Sequence, residues 1–319
     1  MSDGSVVVVA TADRNRLDAI DVIKGIRKWT FVADARIDGS PTIAHGMCIF
    51  GCRDGWVYAV RIKDGALVWR NLAAPEDRRI LVINQLESVW PALGPVIVVK
   101  GVVCAVAGRH NMAEAGIVVT GFDLVTGKKK WQKETPHRPR NNPMTGGAYE
   151  PKSTDPRPTS ASLAGWLVSD GSTVQIDRLG AFDVRTCESR ELFDTRLNRK
   201  YTGKLRPFKN RSKRNDFEPW LLSAEDGKFS CKVIGKKLVL SADGKAHEFR
   251  VPGDVRAVAS AGSDWVLMTK NQLLQVDKIK REIRASIQFQ GDSQQHGLAV
   301  LKNRAFITTE DGRLLSFGP

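Results

Sequence analysis

Arg78, Arg79, Gln85, Glu87, Trp90 and Arg109 place three guanidinium groups, a carboxylate, a carboxamide and an indole in one stretch of chain. Held together, such groups can grip an anion or a polar ligand; the same set can also close on itself as an ion-pair network that fixes the segment carrying it. They are the first candidate binding cluster, and both uses stay open. The second candidate is a basic segment, residues 196–216. Arg196, Arg199, Lys200, Lys204, Arg206, Lys209, Arg211, Lys213 and Arg214 follow one another there without an acidic residue between them, and Tyr201 and Phe208 interleave. Cations attract phosphates and rings stack on bases, so RNA or DNA is one partner class for this segment; an acidic protein, lipid headgroups or plain solvent are the others. The net charge of +14 favours polyanions in general and names none.

Other chemistry finds little support. The histidines, His45, His110, His137, His247 and His296, have no two within the three-to-five-residue spacing of a zinc site, and turn or packing roles suit them. The five cysteines are Cys48, Cys52, Cys104, Cys187 and Cys231. On one extended strand Cys48 and Cys52 would stand about 13 Å apart, too far for a disulfide. Buried, reduced thiols are the expectation. No glycine-rich phosphate loop, Ser-His-Asp series or paired-carboxylate motif is present. We therefore expect no catalytic residue, no metal ligand and no cofactor.

These residues must be positioned by short strands. Residues 38–69 read as four of them, turned at Gly46, Asp54-Gly55 and Asp64-Gly65. One such meander cannot cover both its faces. Copies lie on either side: Gly25 is followed four residues later by Trp29, Gly65 by Trp69 and Gly127 by Trp131. Four strands repeating near forty residues, in a chain of 319 residues without helical apolar periodicity, predict an all-β fold: a β-propeller of four-stranded antiparallel blades, about seven in number, or eight if other segments complete it. Trp29, Trp69 and Trp131 are predicted to dock neighbouring blades.

The expected organisation is a single propeller domain over residues 1–319, with an insertion at 71–87, a long loop at 133–160 and the basic loop at 196–216. Near residue 187 the repeat reads as decayed, because Cys187 stands where glycine belongs and Glu191 where tryptophan belongs. The first unit lacks an opening strand and the last a closing one, so a partner chain or an upstream segment is expected to complete the ring. No run of apolar residues is long enough for a membrane span. Val6–Ala10 reads as a strand rather than as part of a signal peptide.

The motifs Gly51-Cys52-Arg53-Asp54-Gly55-Trp56-Val57-Tyr58-Ala59 and Asp64-Gly65-Ala66-Leu67-Val68-Trp69 resemble the pyrroloquinoline-quinone-type propeller repeat. Ala74-Pro75-Glu76-Asp77-Arg78-Arg79-Ile80, Gln85-Leu86-Glu87-Ser88-Val89-Trp90-Pro91 and Ala107-Gly108-Arg109 are similar to large planctomycete-type proteins carrying this propeller at their C-terminal end. The likeness covers residues 1–132 well and 252–317 loosely. It implies a quinoprotein-like fold and an extracytoplasmic location, and little about activity. Quinone catalysis would require adjacent cysteines, a Glu-Asn pair holding calcium and an aspartate base; no adjacent cysteines exist here, and no such set stands at matching positions. The expected function is therefore a non-catalytic scaffold docking a protein partner in a larger assembly, with RNA binding through the basic loop and a quinone-binding oxidoreductase as alternatives.

Overall fold

A computed structural model of the chain describes residues 4–109, 116–135, 167–169, 171–176, 180–190, 193–194, 199–200, 223–226, 229–234, 237–242, 245–301 and 304–318. Contacts group the chain into two compact units, Met1–Leu205 and Arg206–Pro319.

In the first unit, β1 (Val6–Thr11), β2 (Arg16–Asp21) and β3 (Arg27–Val32) form a three-stranded antiparallel sheet. A four-stranded sheet follows, from β4 (Thr42–Ala44), β5 (Met47–Gly51), β6 (Trp56–Arg61) and β7 (Leu67–Leu72). The hairpin β8 (Arg79–Val82) and β9 (Gln85–Ser88) stands between it and the next sheet. That sheet comprises β10 (Ile97–Val99), β11 (Val102–Ala107), β12 (Ile117–Asp123) and β13 (Lys129–Thr135). A further four-stranded sheet contains β14 (Leu167–Ser169), β15 (Thr173–Ile176), β16 (Gly180–Asp183) and β17 (Ser189–Arg190), and β18 (Phe193–Asp194) pairs with β19 (Arg199–Lys200).

The second unit holds two four-stranded sheets. One is β20 (Ser223–Asp226), β21 (Phe229–Ile234), β22 (Lys237–Ala242) and β23 (Lys245–Arg250). The other is β24 (Val255–Ala261), β25 (Asp264–Thr269), β26 (Gln272–Asp277) and β27 (Ile283–Gln288). A three-stranded sheet of β28 (Ser293–Leu301), β29 (Arg304–Thr309) and β30 (Leu314–Phe317) completes it. Among the described residues the only helical element is the short turn Ala12–Arg14. The protein is an all-β propeller of antiparallel blades, the architecture that the repeat predicts.

The apolar runs follow from burial on both faces. Every residue of β5 is buried, so its sequence is a continuous apolar run rather than an alternation. Cys48 and Phe50 turn towards the first sheet, packing with Val6, Leu17 and Trp29. Met47 and Ile49 turn the other way and pack with Val103, Ala105 and Phe122 of the third. The core therefore lies in the seams between blades, and no blade is stable without a neighbour.

Each seam of the first unit is locked by one indole. Trp29 Nε1 donates to the carbonyl of Ile62 at 2.8 Å, Trp69 to Leu124 at 3.1 Å and Trp131 to Val184 at 2.8 Å. Each tryptophan thus reaches the turn between the third and fourth strands of the following blade. The rings lie so close to that turn that a Cβ on Gly65 would be 2.7 Å from Trp29, and one on Gly127 would be 2.5 Å from Trp69. A register shift just before Trp29, Trp69 and Trp131 omits Lys28, Val68 and Lys130 from the pairing, and such bulges re-aim a side chain.

The turns share one construction. The fifth residue donates its backbone N–H to the first, as from Gly65 to Arg61 at 2.8 Å and from Cys187 to Asp183 at 2.9 Å. An aspartate at the first position accepts two further N–H groups: Asp21 from Ile23 and Lys24, Asp123 from Val125 and Thr126, Asp183 from Arg185 and Thr186, Asp277 from Ile279 and Lys280. Cys187 (φ 60°) and Arg281 (φ 61°) adopt the left-handed conformation that Gly25, Gly65 and Gly127 adopt elsewhere. The blade at Cys187 consequently keeps its turn, where the sequence reads as decay.

Two outcomes test this construction. Trp69→Phe should lower stability by about 1–2 kcal/mol, through the lost hydrogen bond and packing; Gly127→Val should cost about 3 kcal/mol or more, because it forces a β-branched residue to positive φ against a ring. Urea unfolding midpoints measure both. Backbone N–H donors hold the Asp21, Asp123 and Asp277 carboxyls below the ordinary 3.8, Asp123 at about 2, while Arg190 together with backbone donors lowers Asp183. A depressed folded-state pKa adds stability above the unfolded value and loses it below. Thermal melts should therefore drop as pH falls from about 4 towards 2, and Asp123→Asn should reduce that drop.

Candidate functional site

The hairpin β8–β9 turns at Ile83 (φ 45°) and Asn84 (φ 62°), two positive values in succession, as a two-residue type I′ turn requires. Its register pairs Arg79 with Ser88, Ile80 with Glu87, Leu81 with Leu86 and Val82 with Gln85. Alternation sends Glu87 and Leu86 to opposite faces. Glu87, at the base, is only 1% exposed, and Leu81 and Leu86, nearer the turn, are exposed. Burial follows distance from the base of the hairpin: Ser88, on the leucines' face, is also buried, while Ile80, on the face of Glu87, is 40% exposed.

Two arginines compensate the buried charge. Arg53 Nη1 donates to Glu87 Oε1 at 2.6 Å. Arg109 Nη2 donates to Glu87 Oε2 and also reaches the Ser88 carbonyl at 3.3 Å. Arg53 Nε also donates to Asp38, which accepts from Arg36 at 2.7 Å. A carboxylate buried without partners would be far costlier than these charge-assisted bonds allow. The chain thus joins three loops at this point: the ones following β5 and β11 and the one entering β4. Backbone bonds reinforce the junction, from Ser88 N to the Arg53 carbonyl at 2.8 Å and from Val89 N to the Arg78 carbonyl at 2.9 Å.

The predicted cluster is therefore redistributed. Glu87 and Arg109 meet. Arg79 does not join them: it pairs with Asp77 at 3.2 Å, because its register position opposite Ser88 puts it on the other face of the hairpin from Glu87. Arg78 lies over the Trp90 ring at 5.2 Å and pairs with Glu76 at 3.4 Å. Trp90 is buried and Gln85 exposed. Arg53 is the member that sequence reasoning missed. The signal was present: Arg53 stands two residues after β5 ends and Arg109 two residues after β11 ends, equivalent positions in successive blades.

Of the basic segment, the backbones of Arg199 and Lys200 lie in β19, paired with Asp194 and Phe193, rather than in a loop. Lys204, Arg206, Lys209, Arg211, Lys213 and Arg214 fall outside the described residues, as do residues 136–160 of the predicted long loop. His45 (φ 50°) and Gly46 form the turn between β4 and β5.

All five cysteines are free, and all but Cys187 are buried. Burial pushes the Cys48, Cys104 and Cys231 thiols up to about 12 and that of Cys52 higher still, which makes them poor nucleophiles and metal ligands. Among the described residues no group of three or more His, Cys, Asp or Glu side chains is placed to hold a metal ion. No described helix is long and apolar enough to cross a membrane.

Blades locked by indoles define the chain as a propeller protein of the quinoprotein-like repeat class. It belongs to the family described as outer membrane protein assembly factor BamB, which matches residues 1–177. Among individual relatives, the assembly factor BamB of Yersinia pestis is 32% identical over 139 residues, covering 42% of this chain and 32% of its own length. BamB of Moranella endobia is 29% identical over 139 residues, covering 42% of this chain and 32% of its own length. The dehydrogenase subunit of a quinone alcohol dehydrogenase from Gluconobacter oxydans is 24% identical over 186 residues, covering 54% of this chain and 24% of its own length. The matched part thus spans about a third or less of these curated relatives. The computationally designed protein Ika8 superposes with a TM-score of 0.58 at 10% identity, covering 100% of this chain and 95% of its own, a likeness of fold alone.

Removing the buried carboxylate should uncouple the hairpin. Glu87→Ala leaves two guanidinium groups without their shared partner, and the expected loss is about 3 kcal/mol. Amide exchange should accelerate in residues 79–90 before it does in β5 or β11.

Proposed function

We propose that this chain is a non-catalytic propeller scaffold that docks another protein within a larger assembly outside the cytoplasm. One observation carries the reading: the exposed aliphatic tip of the β8–β9 hairpin. It offers Leu81 at 72% exposure, Leu86 at 55% and Ile83 at 92%. Ile83 is the more telling because a β-branched residue at φ 45° is held in a costly conformation. Nothing described inside the fold repays that cost. Aliphatic side chains projected from a rigid, ion-paired base suit an apolar patch on a partner protein.

The flanking charges support a protein partner over an anionic one. Arg78 and Arg79 are paired with Glu76 and Asp77, so the base of the hairpin carries no free cationic rim. Matching relatives carry the name of an assembly factor, which agrees with a scaffold.

Two variants test it. Leu81→Asp with Leu86→Asp should leave the melting temperature within a few degrees, because both side chains are already exposed, and should abolish recovery of the partner from native extract. Ile83→Gly should stabilise the fold by about 1 kcal/mol by relieving the positive φ while weakening that recovery. An unchanged set of recovered proteins with the double aspartate variant would overturn the assignment.

A further inference from the structure

The turn between β2 and β3 repeats the construction of the turns that receive tryptophan. Gly25 N donates to the Asp21 carbonyl at 2.9 Å, Asp21 N to the Ile26 carbonyl at 2.8 Å and Val22 N to the Ser5 carbonyl at 3.1 Å. The corresponding bonds at the second sheet are Gly65 to Arg61, Arg61 to Ala66 and Ile62 to Gly46, at 2.8, 2.8 and 2.9 Å. Gly25 has φ 67°, close to Gly65 at 75° and Gly127 at 69°. The Val22 carbonyl thus holds the position from which those of Ile62, Leu124 and Val184 accept an indole N–H.

The difference is occupancy. A Cβ on Gly65 or Gly127 would collide with a tryptophan ring, whereas a Cβ on Gly25 would find no described atom within 4 Å. The rim also differs. The third and sixth positions of the filled turns are Lys63 and Ala66, Val125 and Lys128, Arg185 and Glu188. Here both are isoleucine: Ile23 is 84% exposed and Ile26 57%. No other turn of this construction among the described residues carries a large aliphatic side chain at both places.

We infer that the turn at residues 21–26 is a preformed receptor for the indole of a tryptophan-bearing β-strand contributed by a partner polypeptide. The three filled copies specify the ligand. It is an extended strand that lies where the fourth strand of a preceding blade would lie. Its indole N–H points at the Val22 carbonyl, its ring covers the face of Gly25, and Ile23 and Ile26 border it. That the strand belongs to a partner rests on the scaffold reading; the existence of the receptor does not.

The test uses the full isotope-labelled chain and a synthetic peptide copying residues 64–73, the strand that carries Trp69. A proton over the face of an indole is displaced upfield. In the free chain the Gly65 and Gly127 α-protons should be so displaced and those of Gly25 should not. Peptide should move the Gly25 resonances upfield, saturably, with Gly65 and Gly127 unchanged. A peptide with alanine in place of the tryptophan should have no such effect, and Gly25→Val in the chain should abolish the response at residues 22–26. Gly25 protons already displaced in the free chain would mean that a tryptophan of this chain fills the turn, and the inference would fall. It would equally fall if the peptide left Gly25 unmoved, or if the tryptophan-free peptide acted alike. Failure here leaves the Leu81 and Leu86 outcome standing, and failure there leaves this one standing.

Discussion

An indole N–H donated to a carbonyl of the next blade is the contact on which the first unit depends. A four-stranded sheet with both faces apolar has no stable isolated form, so the unit exists only if each sheet is held at the right distance and angle from the next. Burial of Phe50, Phe122 and their neighbours supplies most of the attraction, but it has no direction of its own. The hydrogen bonds of Trp29, Trp69 and Trp131 supply the direction. For Trp29 and Trp69 the ring lies against a glycine of the facing turn, which fixes the approach, and a bulge beside each of the three tryptophans aims it.

Part of this was legible in the primary structure because it rests on residue types with few other uses. Glycine four residues before tryptophan, three times in register, has one economical explanation. The continuous apolar runs were readable for the same reason, since a strand buried on both faces cannot alternate. The turn at Cys187 shows where such reading fails. Glycine was treated as the essential residue of the turn, whereas Asp183 and its two backbone N–H partners keep the turn intact with a cysteine in the left-handed position. The aspartate is the more faithful mark.

The candidate site was harder to see. Glu87 and Arg109 were recognisable as charged residues in an unusual stretch, yet which arginines meet the carboxylate depends on hairpin register. A shift of one residue exchanges the two faces, which is why Arg79 turned out to face away while Arg53, more than thirty positions upstream, closed the pair.

The buried thiols have a use unrelated to any chemistry of the native protein. Cys48 and Cys52 lie in the seam between the first two sheets, Cys104 packs against Val174 and Val184 in the seam beyond the third, and Cys231 lies within the second unit. Each is silent while its seam stays shut and reacts with an alkylating reagent once that seam parts. The molecule therefore carries its own set of fracture gauges, and the order in which they are labelled under mild denaturant would show which joint between blades yields first.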